Sequence, residues 1–343
     1  MINSMTPTGT GASQPQTTPQ STSGRKPMVG LTKGKIQAPF RIVIYGPEGV
    51  GKTSIAANAE DVVFLCRESG TELFDVERLA ECTQWRDAQP DKDGIRRDVW
   101  SQLEQVRTND HHFKTLAVDT LDWLEPLVFQ HVIENDPDRS KNKGKSIEAA
   151  YGGYGKGHVV VLNEWRAFIH QLDTIRKERG MNILLLAHSH VKVFNNPEGD
   201  NWDRYQLKMN EKASSLFKEW CDAVLFANTE VLASKKSGGM GDTKKMFGVS
   251  DNARYLFTNR RPAWDAKNRF GFPDKMALSW SELIKHVKTK APADIDALIT
   301  TAKEQMGFMS ESDQADAMAA LTRAGRDPDK LAILINWIQS NQQ

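Results

Sequence analysis

The residues with the clearest chemistry form a glycine-rich octapeptide, Gly46-Pro-Glu-Gly-Val-Gly-Lys-Thr53. Its spacing, G-x-x-x-x-G-K-[ST], is that of a phosphate-binding loop, whose glycines let successive backbone N–H groups point at phosphate oxygens. Lys52 would bridge the β- and γ-phosphates of ATP, and the Thr53 hydroxyl would bind Mg²⁺. The predicted nucleotide-binding residues are Gly46, Pro47, Glu48, Gly49, Val50, Gly51, Lys52, Thr53 and Ser54.

Such a loop binds phosphate only between a strand and a helix, and both flanks are present. The apolar run Ile42–Tyr45 precedes it and predicts a buried strand. The residues from Lys52 to Ala59 predict a helix, whose N-terminus adds partial positive charge at the phosphates. A chance glycine-rich turn would not require these two flanks.

Three polar residues at the ends of other predicted strands could complete the site. Asp119 follows Leu116-Ala-Val and is the predicted metal-side acid, acting through a metal-bound water. The next residue is Thr120, not the glutamate that serves as base in many ATPases, so Glu68, after the strand Val62–Cys66, is the predicted base; a solvated loop acid is the alternative. His188, after the strand Asn182–Ala187, is either a γ-phosphate sensor or a structural histidine.

Alternating apolar runs and helical stretches position these residues. The predicted strands are Arg41–Tyr45, Val62–Cys66, Thr115–Val118, Asn182–Ala187 and Ala223–Ala227, with a weaker pair near Glu230–Ser234 and Arg254–Thr258. The predicted helices are Lys52–Ala59, Val99–Arg107, Leu121–Glu134 and Val159–Arg179. This alternation predicts an α/β fold with a mostly parallel sheet flanked by helices.

Composition divides the 343 residues into three segments. Residues 1–37 are rich in Thr, Ser, Gln, Gly and Pro and predict a disordered tail. Residues 38–290 form the predicted ATPase core, and residues 291–343 form a predicted helical module. The helices of that module are expected at Asp294–Gln305, Asp313–Ala324 and Asp329–Gln339.

The overall composition excludes several protein classes. Lys plus Arg is 45 and Asp plus Glu is 44, so the net charge of +1 excludes a protein that is basic throughout, though not one with a local basic stripe. No apolar run reaches the roughly 18–20 residues of a membrane span, and no secretory signal is found at the N-terminus. Three cysteines without C-x-x-C spacing predict buried thiols. We therefore expect a cytoplasmic protein.

The placement of the base on the second strand, together with a second motif, resembles the RecA-type recombinase core. The motif is Lys267-Asn-Arg-Phe-Gly271, which is similar to a hallmark of the bacterial RadA branch. The wider run Arg260-Arg-Pro-Ala-Trp-Asp-Ala-Lys-Asn-Arg-Phe-Gly271 resembles phage ATPases of single-strand annealing and recombination. For a protein encoded by a phage, the expected location is the host cytoplasm. The resemblance implies that Lys267 and Arg269 reach the ATP of a neighbouring subunit, as an arginine finger does. A basic surface turn is the alternative.

The same resemblance implies two DNA-binding loops, at Arg139–Lys156 and Ser189–Lys212. Their candidate contacts are Lys141, Lys143, Lys145, Tyr154, Lys156, Lys192, Arg204 and Lys208. Lysines and arginines would neutralise phosphates and the tyrosine would offer a stacking face. Acidic residues offset the charge of the second loop, and a long solvated loop or a β-hairpin is the alternative for both.

These observations support a DNA-dependent ATPase of RecA type that uses ATP and Mg²⁺ in phage recombination or single-strand annealing. Its expected partners are single-stranded DNA, further copies of itself in a filament or ring, and single-strand-binding or replication proteins, with no membrane. One alternative is a nucleotide-gated interaction protein that docks through its C-terminal helices. Another is a P-loop kinase of a small molecule, although no arginine-rich lid is evident.

Overall fold

The computed structural model describes residues 38–67, 69–137, 146–235, 246–287, 295–325 and 328–340. Several sequence predictions fall outside these ranges. They are the disordered tail at 1–37, the predicted base Glu68, and the predicted DNA contacts Lys141, Lys143 and Lys145. They stay predictions.

Strands and helices alternate through the first four of these ranges. The strands are β1 Arg41–Gly46, β2 Val62–Cys66, β3 Glu77–Arg78, β4 Thr115–Asp119, β5 Asn182–Phe194, β6 Trp202–Leu207, β7 Ala223–Lys235, β8 Met246–Phe257, β9 Lys267–Asn268 and β10 Lys275–Ala277. The helices are α1 Lys52–Ala57, α2 Val99–Thr108, α3 Leu121–Glu134, α4 Lys156–Arg179, α5 Glu211–Trp220, α6 Trp280–His286, α7 Ile295–Met306, α8 Glu311–Ala324 and α9 Pro328–Ser340.

One sheet organises the core, in the order β10-β8-β7-β1-β5-β4-β2-β3. The strands from β7 to β3 run parallel, whereas β8 and β10 complete the β7 edge with antiparallel pairs. The last residue of β1, Gly46, pairs with His188, and Cys66 pairs with Asp119. The carboxyl ends of these strands therefore meet at one edge, and the predicted α/β class with a mostly parallel sheet is confirmed.

Both faces of the sheet are covered because the central strands alternate between two apolar layers. Val43 and Tyr45 enter the layer built with α2 to α5, and Ile42 and Ile44 enter the layer built with α1 and α6. The predicted stripe of α4 is buried in the first layer, with Trp165 and its neighbours fully enclosed. Burying one such side chain stabilises the fold by about 1.5–3 kcal/mol, so these two layers hold the loop-bearing edge in place.

The second predicted DNA loop, Ser189–Lys212, is instead a β-hairpin followed by the start of α5. Strand β5 continues to Phe194 and pairs antiparallel with β6, from Ser189↔Leu207 to Phe194↔Trp202. The extension escaped prediction because it alternates charged and apolar residues that mostly face solvent, including the exposed Val191 and Val193. The segment is therefore a β-hairpin and not a long solvated loop, and its binding of DNA stays a prediction.

The structure differs from the prediction at four further elements, namely β7, α5, α6 and α1. β7 continues without a break through the first member of the predicted weaker strand pair, and α5 and α6 were not predicted. α5 begins after Asn210, whose side chain accepts the Lys212 N–H, an N-cap that single-sequence periodicity does not reveal in a ten-residue helix. α1 ends at Ala57, two residues before its predicted end.

The three predicted C-terminal helices are present as α7, α8 and α9. Their apolar faces meet in a separate cluster that includes Ala302, Leu321, Leu331 and Ile338. The boundary predicted near residue 290 stays a prediction. Within the described ranges, no helix combines the length and the apolar character needed to cross a bilayer.

Candidate nucleotide-binding site

The loop between β1 and α1 has the backbone geometry that phosphate binding requires. Gly49 has φ +72° and Gly51 has φ +107°, conformations that side chains rarely adopt. Gly46 has a different constraint, because a Cβ there would lie 2.2 Å from the carbonyl oxygen of Ala227 on β7. The three glycines are thus required by conformation or by close packing, and they form a cradle for phosphate oxygens.

Lys52 is buried at the start of α1 and its ammonium group is held over the loop. Its Nζ donates to the carbonyl oxygen of Gly46 at 3.1 Å and to that of Pro47 at 2.9 Å. A buried ammonium group costs free energy unless it is paired, so these carbonyls fix the position of the charge beside the cradle. This is the position from which a lysine can bridge phosphates.

The two predicted metal-side residues are in direct contact. Thr53 Oγ1 donates to Asp119 Oδ2 at 2.8 Å, and Asp119 is buried at the end of β4. A hydroxyl and a carboxylate are the oxygen ligands that Mg²⁺ prefers, and both stand beside the Lys52 charge. Thr53 would bind the ion directly and Asp119 would hold it through water, so the residues present fit Mg²⁺.

His188 lies beside the loop but is bound to α3. Its Nδ1 donates to Asp122 Oδ2 and its backbone N–H donates to Asp122 Oδ1, both at 2.8 Å. Burial alone would raise the pKa of Asp122, but the His188 hydrogen bonds and charge together hold that pKa below its usual value. The histidine is therefore oriented by Asp122, and its predicted sensor role remains a prediction.

Sequence reasoning missed Glu125, one turn further along α3. Both carboxyl oxygens accept the backbone N–H of Asn210, at 3.0 and 3.1 Å. Burial raises the pKa of Glu125 to about 7, the Asn210 N–H lowers it and the Asp122 charge raises it. Helix α3 thus contacts both ends of the hairpin segment, residues 189–209, through His188 just before it and Asn210 just after it. An i, i+3 acid pair on a helix was the available signal.

A second missed residue is Arg254, on β8. Its Nη1 donates to the carbonyl oxygen of Val50 at 3.4 Å, and a Cβ on Gly51 would lie 2.8 Å from the same nitrogen. The guanidinium group therefore covers the outer side of the phosphate loop. No local pattern marks this residue, because the contact spans 204 positions of the chain.

The motif residues Lys267 and Arg269 lie at the opposite edge of the sheet from the loop. Lys267 pairs with Val224 at the start of β7, and its Nζ donates to the carbonyl oxygens of Lys218, Glu219 and Cys221 at 2.6–3.0 Å. These carbonyls end α5, so Lys267 is a helix cap in its own subunit. Arg269 is more exposed, with Nη1 3.6 Å from Asp222 Oδ1.

The described DNA candidates differ in their exposure. Tyr154 is 99% exposed with φ +54°, and Lys156 is exposed at the start of α4. Lys192 and Lys208 are about half exposed, and their Nζ atoms lie 3.3 Å from Glu211 and 3.6 Å from Glu48. Arg204 is the exception. It is 4% exposed and donates to Asp265 Oδ1 at 2.9 Å, so it stabilises the hairpin and has no exposed cation to offer a strand.

The fold and the loop together define a P-loop nucleotide-binding protein. The family model for the AAA domain matches residues 38–270. The chain therefore belongs to this family of AAA-type P-loop ATPases, which use ATP and Mg²⁺. No curated protein matches the chain.

Proposed function

We propose that this protein is a DNA-dependent ATPase of RecA type that assembles on single-stranded DNA and acts in phage recombination or annealing, in the cytoplasm. The observation that carries the ATPase part is the contact between Thr53 and Asp119, 2.8 Å long and beside Lys52. It joins the two metal-side residues to the phosphate loop. Residues 38–290 would be the motor and residues 291–343 an accessory module.

Each part of the site has a defined role in hydrolysis. The loop N–H groups and Lys52 hold the β- and γ-phosphates and oppose the charge that develops on the transferred phosphoryl group. Mg²⁺, when bound, polarises the phosphate oxygens. The sequence prediction for the water-orienting base remains Glu68, whose change to Gln should preserve nucleotide binding and abolish turnover.

The position of Arg269 supports action between subunits. Arg269 lies beside Asp222, which also pairs with Arg41 at the start of β1. The loop lies beyond the other end of that strand, five residues or about 16 Å away at 3.3 Å per residue. Arg269 therefore faces away from the ATP site of its own subunit. If it contacts a nucleotide, that nucleotide belongs to a neighbour in a filament or ring.

Contacts between the hairpin segment and the nucleotide site support a link between DNA and hydrolysis. Lys208, just after β6, lies 3.6 Å from Glu48 in the phosphate loop. His188 and Asn210, at the two ends of the segment, both bind α3, which begins two residues after Asp119. A strand bound by the hairpin would therefore act on the residues that hold the nucleotide.

The test is the rate of ATP hydrolysis with and without single-stranded DNA. We expect stimulation of the wild-type protein by DNA and no hydrolysis by Lys52→Ala under either condition. Stimulation that is absent at every salt concentration would contradict the DNA-dependent part. Hydrolysis by Lys52→Ala at the wild-type rate would contradict the ATPase site itself.

A second candidate is a nucleotide-gated interaction protein that recruits single-strand-binding or replication proteins. It is favoured by α7–α9, which have an apolar cluster of their own and leave Phe308 and Ile333 largely exposed. A pull-down of such a partner that follows nucleotide state and persists without DNA would favour this function. Capture that requires DNA would favour the first proposal.

A further inference from the structure

The turn after β8 presents two adjacent arginines on a rigid base. Arg261 and Trp264 exchange backbone hydrogen bonds of 3.1 and 3.2 Å, which closes the turn. The Trp264 ring packs against Phe257 at 4.7 Å between centroids, and its indole N–H donates to the carbonyl oxygen of Asn259. The turn is therefore held by both backbone and core contacts, and its arginines are presented in a fixed place.

Arg260 and Arg261 have charge to offer a ligand. Their side chains are 64% and 58% exposed. Arg260 Nε lies 3.6 Å from Asp265 and Arg261 Nη2 lies 3.8 Å from Asp274, distances that exceed a hydrogen bond. Exposed ion pairs of this kind contribute little, so an anion can replace them.

The tip of the β5–β6 hairpin packs against the turn at residues 260–264, which we call the arginine turn. The Trp202 indole N–H donates to the carbonyl oxygen of Pro262 at 2.8 Å, which joins the hairpin to the arginine turn. The Trp202 ring lies 5.0 Å from that of Phe194, centroid to centroid, and the Arg204 guanidinium lies 5.1 Å from the Phe194 centroid. Aromatic faces and guanidinium groups therefore stand side by side.

Between the arginine turn and the hairpin tip is a cleft of about 260 Å³, lined by Trp202, Arg204, Arg260, Arg261 and Pro262. Arg204 lines the cleft but is 4% exposed, so Arg260 and Arg261 supply the charge that a ligand can reach. Asp265, 3.6 Å from Arg260, is already bound by Arg204 at 2.9 Å and by Lys218 at 2.8 Å. The lining itself contains three arginines and no acidic residue, so its charge is positive, whereas Asp274 and the hairpin acids Asp200 and Asp203 lie outside it.

We propose that this cleft is a second contact for single-stranded DNA, in which Arg260 and Arg261 bind the phosphodiester and Trp202 offers its face to a base. The inference rests on the proposed function, since it names a DNA-binding site for the same ATPase. Arg260 and Arg261 lie outside both of the loops that the sequence predicts for DNA binding, whereas Trp202 lies within the second one.

The size and chemistry of the cleft favour a polymer over a free small molecule. Small-molecule sites usually enclose about 300–1,000 Å³, and this cleft is smaller, so it suits one unit of a longer ligand. Guanidinium groups next to aromatic faces are the features that bind single strands without sequence preference. A phosphorylated peptide would use the arginines but would have no base for Trp202.

The test is the binding of fluorescent oligo-dT by the full chain, measured by anisotropy over a series of salt concentrations. Each phosphate contact on a single strand contributes about 0.7 to the salt slope, so Arg260→Gln/Arg261→Gln should make the slope shallower by about 1.4 and weaken binding. The matched control is Lys92→Gln/Arg96→Gln, which removes two exposed cations elsewhere and should bind as the wild type does. Arg260→Lys/Arg261→Lys keeps both charges and should retain the slope.

The contact between Trp202 and a base is tested by a separate experiment. Trp202→Leu should weaken binding of oligo-dT at least fivefold and should leave binding of an abasic strand of equal length nearly unchanged. Thermal melts identify any variant that fails to fold. If Arg260→Gln/Arg261→Gln fails to fold, the single variants Arg260→Gln and Arg261→Gln replace it, each with an expected slope change of about 0.7.

The outcomes separate this proposal from the proposed function. Wild-type binding and ATPase stimulation with an unchanged slope in the Gln/Gln variant would overturn the cleft alone. If the Arg260→Gln/Arg261→Gln variant lost affinity for oligo-dT and for a phosphopeptide to the same extent, the nucleic-acid assignment would be overturned. No binding of oligo-dT by the wild type would overturn the DNA-dependent function and the cleft together.

Discussion

Arg254 Nη1 lies 3.4 Å from the carbonyl oxygen of Val50, so a strand near the edge of the sheet contacts the outer side of the phosphate loop. A Cβ on Gly51 would meet the same guanidinium, and the φ of +107° at Gly51 already disfavours a side chain there. The backbone of β8 is itself fixed here, because the Leu278 N–H donates to the Arg254 carbonyl oxygen at 2.9 Å. The loop is therefore supported from outside by a residue distant in sequence.

Arg254→Ala should raise the KM for ATP. The change removes a charged donor from the Val50 carbonyl and a positive charge from beside the phosphates, an effect of about 1 kcal/mol or roughly fivefold. Steady-state kinetics would show the rise in KM with kcat less affected. Arg96→Ala, which removes an exposed arginine elsewhere, is the control; an Arg254→Ala protein with wild-type KM would show that the contact is incidental.

Asp119→Asn should lower ATP turnover by at least about 100-fold, since the carboxylate that would hold the metal water is lost. Thr53→Ser keeps the hydroxyl that donates to Asp119 and should retain most of the activity, whereas Thr53→Ala should need far more Mg²⁺. A magnesium titration of the ATPase rate measures both effects. The roles assigned to this pair fail if all three variants respond to Mg²⁺ as the wild type does.

Lys267→Ala should destabilise the protein by about 1–2 kcal/mol because the last carbonyls of α5 lose their shared donor. Arg269→Ala should change stability by no more than about 0.5 kcal/mol, since its side chain is 57% exposed. Urea denaturation of both variants measures the difference. Equal stability losses would contradict the cap role of Lys267.

Arg269→Ala should nevertheless lose ATPase activity if the residue serves a neighbour. Mixing it with Lys52→Ala should then restore part of the activity, because the intact loop of one variant meets the intact arginine of the other. The rate is measured as a function of mixing ratio, with each variant alone as the control. A mixture no more active than its components would exclude action between subunits.

Glu125→Gln should change how stability depends on pH. The folded-state pKa of Glu125 is about 7, above its ordinary value of 4.5, so the folded protein holds this proton more tightly than the unfolded chain does. The stability that protonated Glu125 contributes is fully present below about pH 4.5 and is lost as the pH rises through about 7. Glutamine still accepts the Asn210 N–H but cannot ionise. The variant should therefore be more stable than wild type at pH 8, by on the order of 2 kcal/mol.

Thermal melts across pH 5–8 measure this difference, which should shrink as the pH falls toward 5. A constant offset between the two proteins at every pH would show that Glu125 does not titrate in this range.

The elements that carry the phosphate loop were predictable because their signals are local. β2 and α3 match the predicted bounds, and β1, β4 and α4 differ by only a few residues. Each has an apolar stripe or run long enough to dominate its own conformation. The hairpin and α5 were not predictable in this way, since their stability comes from contacts such as Tyr205 against Phe226.

By itself the sequence determined the loop chemistry and the mostly parallel sheet, and it assigned Thr53 and Asp119 to one metal site, because the glycine-rich spacing and the apolar runs are local signals. Only the tertiary structure decided which polar side chains are already bound to partners within the protein. It buried Arg204 against Asp265, turned Lys267 toward the end of α5, and brought Arg254 to the loop. The reason is physical: a residue's type and spacing state what it can bind, whereas burial and long-range neighbours determine what it does bind.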